Sequence, residues 1–344
     1  MKKFSTAALS VAALALVLTG CDSGPEPTTS SSAAAGGPTG VTTSGVPQPD
    51  SFPAGCEAPG GGKLQIGLVT PNLQALFFNQ INTGAQTIAD KVGADLQIVS
   101  ANDDPLQQAN AIDNLVAKKV QAIIVAAIDT EGIKPAIQAA DKAGVKIVAV
   151  DGIVEDPAVS SQVGTSNEES GAQMGEFLAK LANDTGEVGV VSALNSTIQL
   201  ERQKGFEDAV MTKGMSMGTI VDGKNVQETA QSAAENLLTG NPDLKYVYAT
   251  GEPALIGLVA GVKNQNAQDK TDVVGWDLSE AAVSGLQDGF VKGVVQQNTF
   301  KFGYDAMTAA IDLSCGEVVE KNIPVPTQIV TPDNVADFLY YLEK

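Results

Sequence analysis

The chain has 344 residues, and 40 acidic against 21 basic side chains leave a formal charge of −19. So acidic a body repels phosphate backbones, which excludes a nucleic-acid role. Histidine is absent and cysteine occurs only three times, so Ser–His–Asp and Cys–His nucleophiles, His-based zinc sites and, without any Cys-x-x-Cys, zinc ribbons are excluded as well.

The N-terminal "MKK" and the apolar "FSTAALSVAALALVLTG" form a charged lead, a short hydrophobic run and a small-residue cut site. That is the pattern of a secretory signal peptide over residues 1–20. "LTGC" at 18–21 resembles the lipobox of bacterial lipoproteins, which implies a lipid on Cys21 and an extracytoplasmic chain held to the outer face of the cell membrane. Residues 21–62 are dominated by Ser, Thr, Pro, Gly and Ala and cannot bury a core, so they read as a disordered tether. A coil of about forty residues holds its cargo on the order of 35 Å from its anchor. The rest, roughly 280 residues, suits two domains or one large one. In an oxidising compartment the remaining thiols, Cys56 and Cys315, are able to pair.

From residue 64 onward, short β-branched runs alternate with helical stretches. "LQIGLVT" (64–70), "ADLQIVSA" (94–101), "QAIIVAAI" (121–128) and "VKIVAVD" (145–151) read as buried strands. Between them, "PLQQANAIDNLVAKK" sets Leu106, Ala109, Ile112, Leu115 and Val116 on one helical face. The pattern then restarts with "GEVGVVSAL" (186–194), "MGTIVDG" (217–223), "KYVYATG" (245–251), "DVVGWD" (272–277) and "KGVVQQ" (292–297). Near-continuous apolar strands separated by helices imply parallel sheets covered on both faces. A faint echo of "DNLVAKKVQAIIVAA" in "ENLLTGNPDLKYVYAT" supports two related halves, giving an α/β molecule of two doubly wound units.

Open parallel sheets bind ligands beyond the carboxyl ends of their strands. Polar residues stand there in both halves: Asn72, Asn102, Asp103, Asp129 and Asp151, then Asn195, Ser196, Asp222, Glu252, Asp277 and Gln297. Any one of them also fits a cap or turn. By local pattern Asp104, Asn167, Asn225 and Ser279 read as helix caps.

Six ordered motifs carry a broader resemblance: "FFNQINTGAQTIADKVG", "VDGIVEDPAVSSQVGTSNEESGAQMGEFLAK", "ERQKGFEDAV", "NLLTGNPDLKYVYATGE", "VVGWD" and "VVQQNTFKFGYDAM". Over 64–330 the chain resembles the type I periplasmic binding proteins of the ribose- and galactose-binding group, which deliver sugars to ABC importers. The resemblance implies two Rossmann-like lobes joined by a three-segment hinge. The first lobe is 63–165 plus 298–326, and the second is 166–297 plus 327–344. It also implies a monomer that works through ABC permease subunits, with no cofactor, metal or catalytic residue.

The resemblance assigns roles residue by residue. Phe77 and Phe78 match the paired aromatics that press on the apolar faces of a sugar ring. Asp151 matches an aspartate after the fourth strand, Arg202 a clamp from the second lobe, Asp277 an acceptor of ligand hydroxyls, and Gln297 a glutamine at the last crossover. Departures are equally plain. Gly152 stands where an arginine usually follows the aspartate, and Ala75 where an asparagine precedes the aromatics. Asn225 takes the place of a second-lobe aromatic, and Gly251, with Glu252 beside it, that of an asparagine. These changes imply a ligand other than ribose, with the two glycines opening room for a hexose, polyol or substituted sugar. The fold analogy further implies a Cys56–Cys315 disulfide at the end of the first lobe away from the cleft.

Rival readings find less support. Asp151 and Asp277 as an acid/base pair lack an accompanying nucleophile or metal cluster, and "TPNLQ" stands where a dinucleotide-binding Gly-rich turn belongs. A related repressor needs a helix-turn-helix where the leader and tether lie. A sugar-sensing co-receptor with the same cleft but no transport role remains the alternative to an importer subunit.

Overall fold

The computed structural model describes residue 46 and residues 48–343; the leader, Cys21 and the tether as far as residue 45 lie outside the described residues. The apolar runs become strands whose successive side chains enter opposite cores. In β1 (Gln65–Thr70), Ile66 and Leu68 join one buried cluster and Val69 another. Around it β2 (Asp95–Ser100), β3 (Ala122–Val125), β4 (Lys146–Val150) and β5 (Ser161–Gly164) pair in parallel, in the order β5-β4-β3-β1-β2. The second sheet repeats this order as β10-β9-β8-β6-β7, from β6 (Glu187–Ser192), β7 (Ser216–Asp222), β8 (Tyr246–Ala249), β9 (Asp272–Trp276) and β10 (Val291–Gln296). Each sheet thus has the reversal of strand order beside which doubly wound folds bind ligands.

Helices cover both faces of each sheet. In the first lobe α1 (Leu76–Val92) and α9 (Thr299–Ser314) pack on one side, α2 (Pro105–Ala117) and α3 (Lys134–Lys142) on the other. In the second, α4 (Asn167–Ala182) and α5 (Thr197–Thr212) oppose α6 (Gln227–Gly240), α7 (Glu252–Asn264) and α8 (Glu280–Asp288). The two lobes repeat one helix crossing. A Cβ on Gly303 of α9 would lie 2.0 Å from the Ile81 carbonyl oxygen of α1, and one on Gly171 of α4 would lie 2.1 Å from that of Arg202 on α5. Only glycine lets these backbones approach so closely.

Three short strands escape the sequence pattern. β5, β11 (Asn322–Pro324) and β12 (Gln328–Val330) are three or four residues long, too short for any periodicity to show. β11 extends the first sheet beside β5 and β12 runs antiparallel to β10 at the edge of the second. The chain therefore crosses between lobes three times, after β5, after β10 and between β11 and β12.

Other expectations need correction. Leu106 is 69% exposed, because Gln108 takes its place on the buried face of α2. The Gln108 amide donates to the Ala126 carbonyl and accepts from the Ile128 N–H, both at 2.9 Å, and a buried amide so satisfied is tolerated. The ordered body also begins before residue 63. Val46 and Ala58 pack on the first core, Asp50 pairs with Lys301 at 3.0 Å, and Phe52 lies under Lys91. At the other end, a 3₁₀ helix (Val335–Leu342) belongs to both lobes. Val335 packs in the second core, Tyr341 in the first, and Phe338 against each.

Candidate functional site

Asp151 and Asp277 end β4 and β9, central strands of the two sheets, and both take positive φ, 69° and 60°. Aspartate is among the few residues that accept that turn. Arg202 comes from the buried face of α5 and reaches Asp277 Oδ2 at 3.9 Å. Its guanidinium lies 3.8 Å from the centroid of Trp276, a stacking that suits a planar cation. The Nε–H donates to Asn167 Oδ1 at 3.0 Å, and Nη1 to the Thr250 carbonyl at 3.4 Å. Behind the stack, Trp276 Nε1 donates to the Tyr248 hydroxyl at 2.6 Å, and Tyr248 lies flat on Phe206.

Gln297 ties this group to the hinge. Its amide donates to both Asp277 oxygens, at 2.9 and 3.1 Å, and its carbonyl oxygen accepts from the Thr165 hydroxyl at 2.9 Å. Thr165 and Gln297 sit on different crossings, so one side chain bonds a neighbouring crossing and the carboxylate together.

The carboxylates differ in how they are matched. Burial raises the proton affinity of Asp277, while Arg202 and the Gln297 hydrogen bonds pull it back. Asp151 is pushed up to about 6 by burial, opposed by Arg202 and reinforced by Asp277. Glu252, first residue of α7, is pushed up to about 7 by burial and then by Asp277. Its side chain stays open to solvent, but protein around it thins the water that would stabilise its charge. Neither Asp151 nor Glu252 accepts a hydrogen bond from the described residues.

Asn225 joins the group indirectly. Gln199 donates to Asn225 Oδ1 at 2.7 Å and accepts from the Thr250 hydroxyl at 2.6 Å, and Thr250 also receives Arg202. Asn225 is therefore no helix cap; it holds Gln199 from a left-handed turn, φ 58°. Asn167 is not a side-chain cap either, since its amide orients Arg202. Asp104 and Ser279 do cap their helices. Asn72 and Asp129 are committed to their own loops through backbone N–H groups, and Asp222 accepts from Lys224 in its own loop and from Leu194 in the loop after β6.

Phe77 and Phe78 lie edge to face at the start of α1, with centroids 5.3 Å apart. Phe77 also meets the fully buried Phe302, and both rings pack, partly buried, against the first core. Gly251 opens no room, because a Cβ there would lie 2.8 Å from the Gln199 amide. At Gly152 the nearest atom would be 3.5 Å away, an ordinary contact. A cavity of about 910 Å³ opens beside Asp151 and Gly152 and runs past Thr165, Asn167 and Glu201 to Lys321. Of the expected ligand-binding residues only Asp151 lines it. Cys56 and Cys315 are joined as a disulfide, with Cα atoms 5.7 Å apart.

Sequence reasoning passed over Trp276, Thr250 and Gln199, and read Thr165 only as part of a crossing. The sole tryptophan of the chain, placed directly before Asp277, was the signal available for the first.

Among the described residues no helix is long and apolar enough to cross a membrane, and no group of three or more Cys, Asp or Glu could hold a metal ion. The family model described as "Periplasmic binding protein domain" matches residues 66–317. A D-ribose/D-allose-binding protein of Pseudomonas aeruginosa is 25% identical over 284 residues, covering 78% of this chain and 89% of that protein. The ribose import binding protein RbsB of Bacillus subtilis is 28% identical over 270 residues, covering 78% and 88%. The structure of AraP, an arabinose-binding protein of Geobacillus stearothermophilus, superposes with a TM-score of 0.75 at 20% identity over 80% of this chain and 99% of that one.

Proposed function

Because the chain belongs to the periplasmic binding protein domain family, we propose that it captures a sugar or sugar-like polyol between its lobes and delivers it to an ABC importer. It is a binding protein and not an enzyme. The observation that carries the ligand class is that Asp151 of the first lobe stands within electrostatic reach of the Arg202–Asp277 pair of the second. Carboxylates accept hydroxyl protons at several lone pairs, a guanidinium donates in return, and an aromatic face suits the apolar C–H face of a sugar ring. Phe78, Asp151, Arg202, Glu252, Asp277 and Gln297 are the proposed contacts, with Phe77 and Asn225 behind them.

A ligand that touches both lobes favours the state in which they are closed, by as much as it prefers that state. The three crossings form the hinge, and closed lobes present the surface a permease reads. A lipid on Cys21 would hold the monomer at the outer face of the cell membrane, within reach of that permease. Relatives named for ribose, allose and arabinose support a monosaccharide-sized guest. The loss of the usual arginine at Gly152 argues against ribose itself.

Isothermal titration of the purified protein with neutral monosaccharides, amino sugars, cyclitols and amino acids tests the reading. Saturable binding within the sugar and cyclitol group is the expected result. Binding of amino acids with none of any sugar or cyclitol would overturn it.

A further inference from the structure

We propose that the C-terminal 3₁₀ segment, Val335–Leu342, is a strap that ties the two lobes together across the hinge and, through Gln80, sets how freely they turn. This rests on the reading above in taking the lobes to close on a guest.

The three crossings are the covalent links between the lobes; the strap adds a link made by packing. Its root belongs to the second lobe. Asn334 accepts from the Thr331 N–H at 2.7 Å and donates to the Ile329 carbonyl of β12 at 3.2 Å, and Val335 and Leu342 pack with the second core. Tyr341 is buried in the first core, with Tyr340 packed against the same cluster. Phe338 packs against both cores, so its ring is shared between the lobes.

The strap also reaches the crossing that carries Gln297. Phe300, just past that crossing at the start of α9, has its ring centroid 6.1 Å from Tyr340 and 6.0 Å from Tyr341, and Tyr341 stacks on Phe338 at 6.4 Å. Gln80 of α1 is buried and joins the same pieces by hydrogen bonds. Its amide donates to the Tyr341 carbonyl at 2.8 Å, and its side-chain oxygen accepts from the Thr299 hydroxyl at 2.5 Å. The Thr299 N–H donates to the Gln297 carbonyl at 3.1 Å, and the Gln297 amide holds Asp277. A continuous run of contacts thus leads from the strap to a carboxylate of the proposed site.

Packed elements move between discrete arrangements and do not deform smoothly. A turn of one lobe about the crossings must carry the strap along and strip its rings from the other lobe, or slide the strap over a core. The contacts exist in the arrangement described here, so they favour it over arrangements in which the lobes have turned away. A guest that needs this arrangement binds more weakly as its population falls.

Burial of these rings also adds ordinary core stability. That role alone would loosen both lobes throughout, whereas a strap acts at the crossings, so the place of the effect separates the two.

The test is hydrogen–deuterium exchange of the ligand-free protein, comparing Phe338→Ala with the parent chain in peptides over residues 162–168 and 295–300. Exchange at both crossings should quicken about tenfold or more, while the inner strands β3 and β8 keep their protection. Phe338→Leu, which restores apolar bulk, should return most of the parent's rates, and Gln80→Leu gives the same readout as Phe338→Ala should that variant fail to fold. Unchanged crossings, or exchange quickened equally throughout both lobes, would overturn the inference. Titration with ribose, allose, arabinose, galactose and myo-inositol then follows the tightest of them. Phe338→Ala should weaken it about threefold or more, and an unchanged affinity would overturn the strap's part in binding. Should none bind the parent chain, the sugar reading fails while the exchange result still decides the strap.

Discussion

Asp151 and Asp277 occupy equivalent positions in the two lobes. Each is the first residue after a central strand, each has positive φ, and each donates its backbone N–H to the neighbouring strand, to Val163 at 2.9 Å and Val295 at 2.8 Å. The repeated fold therefore sets two carboxylates at the carboxyl ends of matching strands, within electrostatic reach of each other, while their surroundings make them unlike. Asp277 is matched by Arg202 and Gln297; Asp151 receives no hydrogen bond from the described residues.

Substitution should expose that difference. Asp277→Ala leaves the 6%-exposed Arg202 without its nearest counter-ion, and removing one partner of a buried pair costs roughly 3–5 kcal/mol. Asp151→Asn removes a carboxylate that burial penalises, so the ligand-free protein should be as stable or slightly more so. Both variants should lose most of their affinity. Denaturant unfolding and titration of the two variants side by side check this, and equal losses of stability would contradict it.

The same burial gives a signed pH dependence. Asp151 rises from an ordinary 3.8 to about 6 and Glu252 from 4.5 to about 7. Between those limits the folded state holds more protons than the unfolded one, so their contribution to stability falls as pH rises from about 4 to about 7. Below that window the penalty vanishes, and above it the penalty is complete. The double variant Asp151→Asn, Glu252→Gln should show a flatter melting temperature across the window than the parent chain. Parallel pH profiles for the two would refute the assignment.

The glycines that replace expected side chains divide into two kinds, which the sequence cannot distinguish. Gly251 is packed against Gln199, so Gly251→Ala should displace that amide, loosen Asn225 and Thr250, and cost about 1–3 kcal/mol as overpacking does. Gly152→Ala meets only ordinary contacts and should leave the melting temperature nearly unchanged. Thermal unfolding of both variants decides; a harmless Gly251→Ala would show that Gln199 has room to move.

Much of the architecture was readable because it is written in periods. Nine strand-like runs and the echo between residues 113–127 and 235–250 fall on β1 to β4, β6 to β10 and the paired α2–β3 and α6–β8 units. What escaped depends on partners distant in sequence. β5, β11 and β12 exist only because a long parallel sheet offers them an edge. Asn167 looks like a cap until Arg202, 35 residues on, is seen to need an acceptor. Leu106 looks like a core residue until Gln108 finds two backbone partners. Asp151, Arg202, Asp277 and Gln297 were legible as strand-end or motif residues; their unequal charge balance was not, since it follows from burial.

The Cys56–Cys315 bridge should affect stability and spare binding. It links residues 259 apart, and closing so long a loop in the unfolded chain is worth about 5 kcal/mol at the ideal limit and typically 2–4. It also fastens the stretch around Val46, Asp50 and Phe52 to the first lobe, alongside the Lys301 and Lys91 contacts. α9 begins beside Gln297 and runs 16 residues to its end at Cys315, which at 1.5 Å per residue sets the bridge about 24 Å along the helix from the cleft. The variant Cys56→Ser, Cys315→Ser should therefore unfold several degrees lower and become easier to cleave by protease near residue 50. Its ligand affinity should stay within about twofold of the parent, or roughly 0.4 kcal/mol. Thiol titration of the denatured, unreduced parent should find neither cysteine free. A large loss of affinity without a loss of stability would mean that the bridge acts on the hinge, against its distance from it.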